Sequence, residues 1–159
     1  MSMWEPWASL YVYGMKRIET RGWVDSHHGW TAIHATKGGL SQCAFAETIA
    51  NTEFAKALAT VRTFHRGHII GVVNIVACHP LNRRSWQKGI FDVFPELDTS
   101  RERAFGDYGE GRYGFLAQET FVLPEPIPFT SRQGKFLDLS ETVADQIREQ
   151  WSRVKGLSA

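Results

Sequence analysis

This sequence predicts an α+β fold, a small mixed β-barrel with helices packed around it, and three observations lead there. Stretches with the two-residue rhythm of strands are interrupted by helical stretches, the connections are short, and no βαβ alternation runs along the chain. The 159 residues suffice for one domain with a sizeable core and are too few for two. Residues 1–159 therefore read as a single domain, with an insertion around 81–105 and a C-terminal helix over 140–155.

The first stretch organises the rest. Pro6 suits the first turn of a helix, where its missing N–H is not needed. Trp7, Leu10 and Tyr11 recur at three and four residues and make one face apolar, and Gly14 can take the left-handed conformation that closes such a helix. From Ile18 the period becomes two: Ile18 and Thr20 alternate with Glu19, Arg21 and Trp23. A short helix thus delivers Lys16 to a turn, and a strand carries Glu19 and Arg21 on one face. Charges of mixed sign converge here beside tryptophans, which makes this the candidate site. The competing reading is a surface Glu19–Arg21 ion pair worth about 0–1 kcal/mol, with Lys16 an ordinary turn lysine.

Residues 24–28 read as a hairpin-like loop, followed by a strand from Gly29 to Ala35 with Trp30, Ala32 and His34 opposite Thr31 and Ile33. Thr36-Lys37-Gly38-Gly39 is a turn whose glycines can leave backbone N–H groups open to a phosphate. Leu40 to Thr63 is helical in two pieces, with Phe45 and Ile49 in the first, Phe54, Leu58 and Val61 in the second, and Asn51-Thr52 between. Ile69 to Ala77 is rich in β-branched residues without clean alternation, so it reads as a strand buried on both faces. Its Asn74 then needs partners, either structural or from a bound base. Pro80 to Gly106 reads as loop with one or two short helices. A glycine-punctuated turn from Gly106 feeds a strand through Val122, Leu123 to Phe129 is extended by its prolines, 131–134 is a turn, and Lys135-Phe136-Leu137 is a short last strand. Ser140 is a good N-cap for the final helix, whose buried stripe is Val143, Ile147, Trp151 and Val154.

Composition narrows the function classes. A net charge of +1 supplies no global field for holding long nucleic acid, so any such binding needs a local patch or pocket. Cys43 and Cys78 fit no metal or redox spacing, and the lack of a disulfide framework favours a reducing, cytoplasmic setting. No apolar run approaches a membrane span, and no signal-peptide pattern opens the chain. His27-His28 and His65-x-x-His68 lack the helical carboxylate context of a hydrolytic zinc site, so neither a metal nor another cofactor is expected.

Three stretches carry a family resemblance: Pro6-Trp7-Ala8-Ser9-Leu10 with Gly14-x-Lys16-x-x-Glu19-x-Arg21; Gly29-Trp30-x-x-Ile33-His34-Ala35; and Gly111-Arg112-Tyr113-Gly114-Phe115, followed by Pro126-Ile127-Pro128 and Gly134-Lys135-Phe136. Together they resemble the ASCH family, whose fold is the PUA-like β-barrel. The resemblance implies binding of RNA or a nucleotide in a cleft beside the Lys-x-x-Glu-x-Arg strand. It points to Lys16, Glu19 and Arg21, with Arg112 and the Ser131-Arg132 turn as further walls. Lys16 can meet a phosphate as a point charge, and Arg21 or Arg112 can grip a phosphate or purine edge with two parallel bonds. Glu19 can accept from a base amino group, Trp7 or Tyr108 can stack on the base, and Lys37 adds a cation.

The same cleft has an enzymatic alternative. One branch of the family resembles an amidohydrolase acting on a modified cytidine, with a Lys-x-x-Thr pair and a carboxylate from a later strand. Here Glu19 stands at the threonine position, Thr20 faces the other way, and 69–77 offers Asn74 instead of a carboxylate. Other members look like ribonucleases, for which Lys16, Glu19 and Ser131 are the catalytic candidates, with Tyr13 as an alternative to Ser131. A third reading is a protein-interaction module using Trp86 and Phe91. The expected partner is RNA or a nucleotide, with no membrane and the oligomeric state open.

Overall fold

A mixed sheet of five strands organises the computed structural model, which describes residues 1–130, 136 and 138–156. In chain order the elements are β1 (Ser2–Met3), α1 (Trp7–Val12), β2 (Ile18–Arg21), β3 (Gly29–Ala35), α2 (Gln42–Ala50), α3 (Thr52–Ala57), β4 (His68–Pro80), α4 (Ile90–Val93), a 3-10 turn (Pro95–Leu97), α5 (Ser100–Ala104), β5 (Tyr113–Pro128) and α6 (Glu141–Lys155). Across the sheet the order is β1-β3-β4-β5-β2, with β1 parallel to β3 and the other neighbours antiparallel. The expected α+β class is the class observed. The sheet curls into a rough barrel that is not closed, because its edge strands β1 and β2 do not pair with each other. An open seam runs between them.

α1 plugs the barrel. Ala8, Tyr11 and Val12 join Met3, Ile33, Ala35, Ile70, Val73, Ile75, Phe115 and Ala117 in one buried cluster. The Tyr11 hydroxyl donates to the Phe115 carbonyl at 2.9 Å, which ties the plug to β5. The Glu5 carboxylate accepts from the backbone N–H and the hydroxyl of Ser9, satisfying a helix-start donor. Gly14 takes φ +70° and turns the chain out of the helix toward β2. At Gly71 on β4 an added Cβ would lie 2.2 Å from Val12 Cγ1, so the plug sits directly on bare backbone.

Outside the barrel, Ser41 and Asn51 cap α2 and α3 through their side chains, which divides the helical stretch at the expected place. Phe54, Ala57 and Leu58 pack with Leu10 and Phe105. α6 starts on its Ser140 cap and lays Val143, Ile147 and Trp151 against Phe121 and Leu123. β5 does not stop at Val122 but continues to Pro128. Pro124 and Pro126 fall where the pairing with β4 slips, between Ile69↔Ile127 and Gly71↔Val122, so neither occupies a ladder position needing an N–H. Gln150 of α6 serves that bulge, accepting from the Glu125 N–H and donating to its carbonyl.

Three readings change. β4 is longer than 69–77 and is not buried on both faces throughout: Asn74 is half-buried, between Trp30 and Glu119 on the neighbouring strands. A bulge at Ile33/His34 breaks the alternation of β3 and makes His34 buried while Trp30 stays exposed. Phe91 is not an exposed platform; it is half-buried, packing on the Ile18–Ile90 cluster and against Tyr108. The segment 81–105 itself is docked on the barrel, with Leu81, Ile90 and Phe105 buried. The turn 131–134 lies outside the described residues, as do Lys135 and Leu137 of the expected last strand.

Candidate functional site

The seam holds a cleft of about 1040 Å³, at the upper end of what single ligands fill. Its walls come from both edge strands (Ser2 and Met3; Glu19, Thr20 and Arg21), from the turn at Thr36–Gly38, and from Phe105, Gly106 and Asp107 after α5. Trp7, Lys16, Lys37 and Arg112 line it as well, so six of the residues singled out in the sequence converge: Trp7, Lys16, Glu19, Arg21, Lys37 and Arg112. Tyr108 is not among the lining residues; its hydroxyl donates to Glu102 at 3.0 Å and its ring lies against Phe91. Ser131 and Arg132 lie outside the described residues.

Lys16 is not a solvated cation. It is 1% exposed, and Nζ donates to the Ile18 carbonyl and, at 2.9 Å, to Glu19 Oε2. The other carboxylate oxygen of Glu19 lies 2.9 Å from Arg21 Nε, close enough for charge attraction but without hydrogen-bond alignment. Arg21 then reaches across the seam, its Nη2 donating to the Ser2 carbonyl at 2.7 Å. Lys16, Glu19 and Arg21 thus form a chain of charges from the buried turn to the opposite edge strand. Burial of such a pair is tolerable only because each charge finds partners.

Arg112 stands on the β2 side of the cleft. Its Nη2 donates to the Thr20 carbonyl at 2.9 Å and to the Thr20 hydroxyl at 3.3 Å, while Nη1 lies 3.5 Å from Asp107 Oδ2. Its buried Nε has no hydrogen-bond partner among the described residues. A guanidinium carries five donors, so both arginines are held by backbone carbonyls with donors to spare for a bound anion. His34 lines the cleft beside Ser2, whose hydroxyl is 3.1 Å from Nδ1. Burial lowers its pKa below the ordinary 6.5, which keeps the ring neutral at pH 7.

Glu102 fixes the third wall. Its buried carboxylate accepts the backbone N–H groups of Arg17 and Ile18, at 2.9 and 2.8 Å, and the Tyr108 hydroxyl. That contact pins α5 to the start of β2 and with it Phe105, Gly106 and Asp107. The same carboxylate and the burial of the ring push the Tyr108 pKa far up, so it remains a phenol. Sequence reasoning missed Glu102 because nothing local distinguishes it from the neighbouring charges. It also assigned no role to Trp4 and Trp23, which line the cleft; the three-residue spacing of Trp4 and Trp7 around Pro6 was the available signal.

A family model described as ASCH domain matches residues 1–119 of the 159. Activating signal cointegrator 1 of Mus musculus is 32% identical over 102 residues, 63% of this chain and 17% of that protein. The protein of the same name from Homo sapiens is 28% identical over 101 residues, 62% of this chain and again 17% of its own length. The chain therefore spans about a sixth of these relatives. A crystal structure of ASCH from Zymomonas mobilis aligns over 100% of this chain and 94% of its own with a TM-score of 0.49 and 16% identity.

Proposed function

The chain belongs to the ASCH domain family, a family linked to RNA binding, and from that membership and the seam cleft we propose that it binds single-stranded RNA or a nucleotide between β1 and β2. The observation that carries this reading is the pair of clamped arginines. Arg21 and Arg112 stand in the same cleft, each held by a backbone carbonyl, and Trp4, Trp7 and Trp23 line it with them. Pre-oriented guanidinium donors suit phosphate or a purine edge, and indole rings suit a base. Lys37, exposed in its turn, adds a cation to the lining. Lys16 contributes by neutralising Glu19, which otherwise would repel an anion.

Binding is favoured over hydrolysis of RNA or a modified nucleoside by the state of Lys16. A lysine that activates a nucleophile needs its amine directed at that group. Here Nζ is engaged by the Ile18 carbonyl and Glu19.

Fluorescence anisotropy with a labelled single-stranded RNA tests the proposal. Three phosphate-contacting cations predict a log–log salt slope of about −2. Arg112→Ala, or Arg21→Ala, should weaken binding about tenfold or more, as expected for a lost charge-assisted contact. Affinity indifferent to salt and to Arg112→Ala contradicts the cleft reading. Mass spectrometry of the same mixtures separates binder from hydrolase: shortened or altered RNA that disappears with Glu19→Gln makes the cleft an active site.

A further inference from the structure

A two-residue hairpin carrying Trp86 lies outside the lining of the cleft. The Arg84 N–H donates to the Gln87 carbonyl at 2.9 Å and the Gln87 N–H returns to the Arg84 carbonyl at 3.3 Å, so Ser85 and Trp86 form its tip. Trp86 is 77% exposed, the highest value for a large apolar side chain among the described residues. The Arg84 guanidinium lies between two rings, 5.0 Å from the centre of Tyr113 and 6.0 Å from that of Trp86. Tyr113 follows the cleft residue Arg112 and is the register partner of Arg21. Through the Tyr113 ring the hairpin is tied to the start of β5, next to the cleft residues Arg112 and Arg21.

Its chemistry selects a partner. Arg83 and Lys88 are exposed, and neither they nor Arg84 form an ion pair with an acid among the described residues. Along the chain Trp86 is flanked by Asn82, Arg83, Arg84, Ser85, Gln87 and Lys88, one aromatic ring in a run of cations and polar side chains. A protein-docking surface buries an apolar centre, whereas single-stranded nucleic acid asks for unneutralised cations along a backbone and isolated rings for its bases. We propose that the Arg84–Trp86 hairpin is a stacking platform for a base of single-stranded RNA leaving the seam cleft past Tyr113, with Arg83 and Lys88 along its phosphates. This rests on the RNA-binding reading of the cleft and extends the bound strand beyond it.

The test compares mixed-sequence RNAs of about three and about ten nucleotides, lengths below and within the usual footprint of a single-strand-binding domain. Trp86→Ala should weaken the longer RNA about tenfold and leave the trinucleotide unchanged, and Trp86→Phe should recover most of the loss. RNA-induced quenching of tryptophan fluorescence should be smaller in Trp86→Phe than in the native protein, which decides the matter even if Trp86→Ala does not fold. Unchanged affinity for the longer RNA in Trp86→Ala, with Arg112→Ala still defective, overturns the platform and leaves the cleft standing. Equal weakening of both lengths overturns it too, because Trp86 would then act through the cleft. Failure of the native protein to bind either RNA overturns both readings, and a Trp86-dependent protein complex in place of RNA binding replaces the platform with a docking site.

Discussion

At the scale of single residues, the charges of the N-terminal motif act first on the fold. Lys16 and Glu19 are buried partners, so Glu19→Ala leaves the Lys16 ammonium buried without an acid and should cost about 3–5 kcal/mol in urea unfolding, while Lys16→Ala leaves Glu19 its contact with Arg21 and should cost less. The double substitution should cost less than the sum, by about 1–3 kcal/mol, which is the coupling expected of contacting charges. Strict additivity would show that the pair is not a unit. His34 gives a pH signature. Its folded pKa lies below 6.5, so its contribution to stability is complete above that value and is lost as pH falls through it toward the folded pKa. The carboxyl of Glu5, raised by burial, works in the opposite direction, so the diagnostic is the difference from His34→Gln. Unfolding midpoints measured between about pH 8 and about pH 5 should fall more steeply in the native protein than in that variant.

At the scale of elements, the cleft wall depends on how α5 is attached. Glu102→Ala strands the Arg17 and Ile18 N–H groups and should destabilise by about 2–4 kcal/mol, while Glu102→Gln, which keeps an acceptor, should cost less. If the two variants are equally stable, the carboxylate is not the anchor. The elements differ in how far their sequences announced them. α2 and α3 were legible from the apolar spacing of Phe45 with Ile49 and of Phe54 with Leu58, and α6 from its Ser140 cap, all local signals. α3 nevertheless ends at Ala57, before the expected Thr63, and Val154 of α6 is exposed. β1 was not, since two residues carry no period and its parallel pairing with β3 is wholly tertiary. β5 was read short because prolines usually end strands, and only the slipped register against β4 reveals where they are harmless. The N-terminal motif was legible as a cluster, and the burial of Lys16 was not, because the carbonyl and carboxylate that hold it are placed by the turn and the packed barrel. The family resemblance offers Tyr108 as a base platform, yet its hydroxyl donates to Glu102, its ring lies against Phe91 and it is not among the residues lining the cleft; these contacts are tertiary.

At the scale of the whole molecule, an incompletely closed barrel is joined across its seam by a side chain, and the cleft occupies that seam. Arg21 therefore has two duties, holding β1 near β2 through the Ser2 carbonyl and facing the cleft. Arg21→Lys keeps the charge and loses the fork, so β1 should loosen: exchange of the Thr36 amide, which donates to the Met3 carbonyl at 2.9 Å, should quicken relative to amides in the centre of β4. Uniform exchange in both proteins would remove the seam role. The same arrangement is compatible with the proposed anionic ligand despite a net charge of +1, since the donors are gathered and oriented locally.

The measurement that tests the central claim most directly is a titration of the nitrogen-15-labelled protein with short single-stranded RNA, followed through its tryptophan indole signals. The six tryptophans are fixed reporters around the molecule: Trp4, Trp7 and Trp23 line the cleft, whereas Trp30 and Trp151 pack together on the α6 side. RNA in the seam should shift the first three, together with the Nε–H signals of Arg21 and Arg112, and leave Trp30 and Trp151 in place. Shifts confined to Trp30 and Trp151, or none at all, would contradict the account.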